Sequence, residues 1–215
     1  MKLKDQLIGY EILLSSFTFY ALSYYYLVHY QKGGGVHSFD KKASLHVTHS
    51  LGVVLLGSLS LYFNDEYTFR ELVPIYFSRG YFLVDLYDCI QRKDWVFTGH
   101  ALISLLLNIG TQASPIHYSI RSASKGFMTE ISSPIYRWWT ISKSFPIYVL
   151  FYILFIICRL IWVPIFLKQA FEVAGYDWLL YASVGFYVLN VGFFAQMTKI
   201  LLHYDRTRSS REKKE

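Results

Sequence analysis

The residues able to do chemistry in this chain sit inside apolar runs. His46 and His49 open the stretch "ASLHVTHSLGVVLL", one helical turn apart and therefore on one face. Arg79, Asp85 and Asp88 fall in "SRGYFLVDLYDC", and His100 stands in the middle of "WVFTGHALISLLLNIG". Glu130 and Arg137 lie in "FMTEISSPIYRWW", Arg159 in "CRLIWVP" and Asn190 in "LNVGFF". An ionisable side chain in hydrocarbon is costly unless paired, so each of these is a functional candidate whose partner must be sought.

Their types set the available chemistry. A neutral imidazole at His49 or His100 can take a proton from an amine or hydroxyl, or attack an activated acyl group. Asp85 could orient such a ring through its second nitrogen. The competing reading is a buried histidine hydrogen-bonded across helices. Asp88 and Arg92 are an i,i+4 pair. Asp85 has no cation at that spacing, so it is expected to face a histidine or arginine on another helix. Glu130 and Arg137 are two turns apart on a common face, with Pro134 predicted to kink the helix between them. Arg159 either bonds Glu130 or Asp85 across helices or contacts a lipid headgroup, since guanidinium suits phosphate and carboxylate.

Metal chemistry is not expected. His46 and His49 make a single H-x-x-H, and the other histidines, seven in all, are scattered, which excludes a diiron lipid oxidase. Lys199 lies close to the end of the last apolar segment, where it can snorkel, so a retinal Schiff base is not expected either. No cofactor and no nucleic-acid partner are anticipated.

The elements that must position these groups follow from composition. The chain has 215 residues, 53% hydrophobic, 19% aromatic and only 17% charged. A soluble domain carries nearer about 25% charged residues. This composition predicts an all-α, polytopic membrane protein. Apolar segments of spanning length occupy about 7–29, 45–63, 72–90, 95–112, 145–167 and 178–202. A seventh, about 117–139, is more polar and is expected either as a span shielded by its neighbours or as an interfacial helix. The start "MKLKDQLIGYEILL" leads into a long apolar run without a small-residue cleavage site and reads as an anchor. Cys89 and Cys158 both fall in apolar stretches, so no disulfide framework is expected.

With seven spans, "QKGGGVHSFDKK", "QRKD", "TISKS" and the basic tail share one side, while "NDEYTFR", "TQASP" and "KQAFEVAGYDW" share the other. By the positive-inside rule the first side, with the C-terminus, is cytosolic. The triple glycine at 33–35 marks a flexible loop.

Several of these blocks, in their order, resemble the TLC-domain family, which includes the ceramide synthases. "SRGYFLVDLYDCIQRKDWVFTGHALISL" is similar to that family's central block. "ASLHVTHSLGVVLLGSLSLYF" resembles the preceding helix, with His49 at its histidine. "FMTEISSPIYRWW" resembles the glutamate-x-serine-x-proline block of the smaller TLC-domain relatives, through Glu130, Ser132, Pro134, Arg137 and Trp138. "CRLIWVP" and "LNVGFFAQMTKIL" are similar to the last two helices, through Arg159, Pro164 and Asn190.

The resemblance implies an N-terminal helix and loop over 1–39, a TLC domain over 40–205 and a basic cytosolic tail over 206–215. It implies about seven helices, six of them around a central lipid-sized cavity, in the endoplasmic reticulum or a connected membrane. Two functions follow from it. In one, the protein binds or senses a membrane lipid (a sphingoid base, ceramide or phospholipid), with Arg79, Asp88, Arg137, Arg159 and Asn190 lining the headgroup site. In the other, it is an acyltransferase using acyl-CoA as substrate, with His49, Asp85, His100 and Glu130 as the catalytic set. Ceramide synthases carry adjacent histidines where this chain reads Gly99-His100, and a histidine–aspartate block where it reads "FMTEISSP". Those departures bring it closer to the small relatives linked to lipid homeostasis. The partners expected are the bilayer, its lipids and a second copy of the chain.

Overall fold

The computed structural model describes residues 3–29, 43–63 and 69–212, with side chains placed for 7–29, 43–63 and 71–204. The readings made for the glycine loop at 33–35, for the charge of "QKGGGVHSFDKK" and "NDEYTFR" and for the tail beyond 204 fall mainly outside them. Among the described residues the protein is all-helical, without strands.

The long helices follow the apolar runs closely. They are α1 (Leu3–His29), α2 (Ala43–Tyr62), α3 (Phe69–Gln91) and α4 (Trp95–Ala113). Asp94 starts α4 by accepting from the Phe97 amide, as an N-cap carboxylate does. Among the described residues, four stretches are long and apolar enough to cross a membrane: α2, α4, the continuous run Phe145–Ala174 and Trp178–Tyr204. Large apolar side chains point outward on each of them, among them Leu55, Leu102, Ile153 and Val188. A surface of this kind is compatible with a lipid-facing one. α3 is equally long but carries Glu71, Arg79, Asp85 and Asp88.

The polar segment expected at 117–139 is not one helix. It is α5 (Pro115–Ser119), α6 (Ser122–Phe127), a 3-10 turn (Met128–Ile131) and α7 (Ser132–Ser142). Arg121 breaks the first two in a left-handed conformation, φ 55°. Pro134 does not kink a helix between Glu130 and Arg137 as expected. It sits in the first turn of α7, where its missing N–H has no intrahelical partner to lose. Glu130 thus stands on the 3-10 turn and Arg137 on the helix after it.

The next run is continuous from Phe145 to Ala174, built of α8 (Phe145–Phe155), a π-turn (Ile156–Ile161) and α9 (Trp162–Ala174). Gly175, at φ 70°, ends it, and α10 (Trp178–Glu212) begins beyond Asp177. Three packed regions among the described residues hold the bundle, one of them formed by Val53, Ile75 and Phe127 between α2, α3 and α6. Tyr20, Tyr81, Phe82 and Leu105 join α1, α3 and α4, with Ser16 Oγ donating to the Phe77 carbonyl at 2.7 Å. Tyr148, Phe151, Phe155 and Met197 join α8 to α10, where Tyr148 donates to the Met197 carbonyl at 2.6 Å.

Candidate functional site

A cavity of about 590 Å³ lies between α2, α3, α4, α7, α8 and α10. Its apolar wall is made by side chains such as Phe97, Phe151, Phe155, Phe193 and Met197. Its polar wall gathers His46, His49, Asp85, Asp88, His100, Glu130, Arg137 and Arg159. All four residues of the expected catalytic set therefore face one space, with three of the five expected for a headgroup.

One buried polar group is organised by Arg159. Its Nη2 donates to Glu130 Oε1 at 3.2 Å and to Ser133 Oγ at 3.1 Å, while Nε reaches Ser132 Oγ at 3.4 Å. Nη1 donates to Asn190 Oδ1 at 3.2 Å, and the guanidinium stands over the Phe155 ring. The π-turn that carries Arg159 adds a residue to the helix and re-aims the side chain, a local irregularity common at functional sites. Ser50 Oγ donates to the other oxygen of Glu130 at 3.0 Å. Both carboxylate oxygens are thus engaged, so Glu130 holds α2, the 3-10 turn and the π-turn together through charge-assisted bonds. Asn190 is buried behind Arg159 and does not line the cavity.

His49 is equally fixed. One ring nitrogen, Nε2, meets Ser78 Oγ at 3.0 Å, and the ring stacks on Tyr81 with centroids 4.0 Å apart. His100 differs. It packs between Phe82 and Phe186, yet among the described residues no hydrogen bond reaches either ring nitrogen. Neither Asp85 nor Glu130 orients it by a direct bond. Asp85 has Tyr81 one turn before it, Asp88 and Arg92 toward the helix end, and Arg137 as its charged neighbour on another helix. Asp88 pairs with Arg92 at 2.9 Å, as the spacing requires, and also accepts from Tyr24 at 3.1 Å.

Arg79 is the site residue that the structure removes from this group. It points to the far end of α4, donating to Gln112 Oε1 at 2.7 Å and to the Asn108 carbonyl at 3.3 Å, and lies over the Tyr76 ring. Sequence reasoning placed it with Asp85 and Asp88 because all three share α3, but Arg79 lies off the i,i+3 and i,i+4 spacings that would bring it to their face.

Two polar groups went unnoticed in the sequence. Glu71 is buried and accepts from Ser60 Oγ, the Ser124 amide and the Ser124 hydroxyl, tying α2, α3 and α6 together. His117 lies between Ser122 and Asp177 beside a second, smaller cavity. An acidic residue just ahead of "WLLY" is a helix-start signal that would have marked Asp177.

Compared with family models, curated proteins and solved structures, the chain matches none.

Proposed function

We propose that this chain is a polytopic membrane protein of the TLC-domain type that holds a membrane lipid in the larger cavity. The tail lies along the Phe151–Phe155–Met197 wall and the polar head meets His100. One observation carries the reading: a cavity of about 590 Å³ combines an apolar wall with a histidine that no group among the described residues hydrogen-bonds. A binding site for a small amphiphile has this composition, mostly apolar with a few convergent polar groups. The ligand class is a sphingoid base, ceramide or phospholipid. The crossing pattern is seven passes with the C-terminus cytosolic, in the endoplasmic reticulum or a connected membrane. It is supported by the lengths of α1 and α3 and by the way α5 to α7 lead from the Asp177 end of the bundle toward the Phe145 end.

The second reading is acyl transfer from acyl-CoA to a sphingoid amine, with His100 as base or nucleophile. The open ring nitrogens of His100 favour it, since a base must be free to reach its proton. Gly99 weighs against it by the resemblance, although a Cβ at that position would meet nothing within 4 Å. Purified protein assayed with long-chain acyl-CoA and a sphingoid base separates the two. The binding reading expects no turnover across a panel of donors and acceptors, with lipid retained through purification. Turnover that disappears in a folded His100→Ala variant would establish the transferase instead.

A further inference from the structure

The second cavity, about 110 Å³, is enclosed by α4, α6, α9 and α10. Val163, Phe166 and Leu179 make it largely apolar, and His117 and Ser122 stand on its wall. His117 Nε2 lies 2.7 Å from Asp177 Oδ2, and its Nδ1 lies 3.1 Å from Ser122 Oγ. Asp177 is itself fixed, because its other oxygen accepts the Leu180 amide at 2.8 Å as the N-cap of α10. A carboxylate only accepts, so in the neutral ring the proton is assigned to Nε2, which leaves Nδ1 to accept from the serine hydroxyl.

We infer that Ser122, His117 and Asp177 form a nucleophile–base–carboxylate triad that hydrolyses a short-chain carboxylic ester in this cavity. Triads are recognised by roles and geometry rather than by sequence position. Here the two ring nitrogens exchange their usual assignments, but the chemistry needs only one unprotonated nitrogen at the hydroxyl and one N–H on the carboxylate. Ser122 Oγ bonds to the acyl carbon as its proton passes to His117 Nδ1. The tetrahedral oxyanion then collapses, the carbon–oxygen bond to the alcohol breaks, and the alcohol leaves with the proton from Nδ1. Water repeats the sequence on the acyl-serine, releasing the carboxylic acid and restoring Ser122.

Thr111 and Ser183 line the same cavity, and the oxyanion of the tetrahedral intermediate requires hydroxyl or amide donors of this kind. The volume sets the substrate class. An apolar cavity of about 150 Å³ holds benzene, so this one accepts an acyl group of a few carbons and not a long chain. The site is independent of any lipid in the larger cavity, and its failure would leave that reading untouched.

The test uses the full chain in detergent, treated with a fluorophosphonate probe and separately with p-nitrophenyl butyrate. The expected result is a probe adduct mapped to Ser122 and butyrate release that is abolished in Ser122→Ala. Asp177→Asn keeps the helix cap but presents the wrong group to Nε2, so it lowers hydrolysis by about a hundredfold or more. Absence of an adduct on Ser122 in folded wild-type protein, or hydrolysis unchanged in Ser122→Ala, would overturn the inference. The labelling result on the wild type does not depend on any variant folding.

Discussion

At Arg159, four protein oxygens and an aromatic face converge on one guanidinium, and the residues that supply them come from three separate stretches of chain. An arginine so enclosed acts first as a structural hub. Arg159→Met would leave Glu130 as a buried carboxylate without its cation, which costs about 3–5 kcal/mol. The thermal midpoint in detergent should drop accordingly, and the double variant with Glu130→Gln should recover part of the loss. Equal loss in the single and double variants would show that the two side chains are not coupled. His100 occupies the opposite position, packed by rings and, among the described residues, without a hydrogen-bond partner. His100→Asn should therefore leave the unfolding midpoint close to wild type, since no interhelical bond is removed. The sequence already suggested the Glu130–Arg159 and Asp88–Arg92 pairs, because opposite charges in apolar runs must find one another. It could not separate fixed His49 from open His100, because that difference lies in a serine one helix away and not in the histidine's own neighbours.

The helices themselves were legible where apolar periodicity was long. The expected run 95–112 became Trp95–Ala113, and 45–63 became Ala43–Tyr62. Two features were not legible. The segment from Pro115 to Ser142 broke into pieces because Arg121 adopts a left-handed conformation and the 3-10 turn carries Glu130 to Ser50, a bond to another helix that local pattern does not reveal. The π-turn at Arg159 likewise leaves no mark in the apolar pattern of 145–174. At this scale two glycines make opposite predictions. Gly80 lets α3 approach α1 so closely that a Cβ would sit 2.6 Å from the backbone nitrogen of Phe17. Gly80→Ala should destabilise by about 1–3 kcal/mol, because backbone cannot move aside as a side chain can. Gly99 has open space around it, so Gly99→Ala should stabilise α4 by about 0.5–1 kcal/mol. Helical circular dichroism followed against temperature reads both, and like-signed shifts would refute the packing contrast.

For the whole molecule, the bundle places an apolar chamber next to a polar wall, within helices whose outer faces are themselves apolar. Composition pointed to apolar helices of spanning length, and four such stretches stand among the described residues. What the sequence lacked was the partition of the interior into a larger chamber and a smaller one, which meet at His49, Phe82 and Glu130. Phe82 looks like an ordinary core residue in the chain and His49 stood out only for its chemistry; their packing against each other, Tyr81 and His100 is what makes them a dividing wall. The central claim is that the larger chamber holds a lipid. Photolabelling with a sphingoid-chain or phospholipid probe carrying a diazirine in its tail, mapped by mass spectrometry, tests it directly. The account predicts adducts on Phe151, Phe155 and Met197 that unlabelled lipid competes away. Adducts confined to outward residues such as Leu102, Ile153 and Val188, with none on the chamber wall, would contradict it.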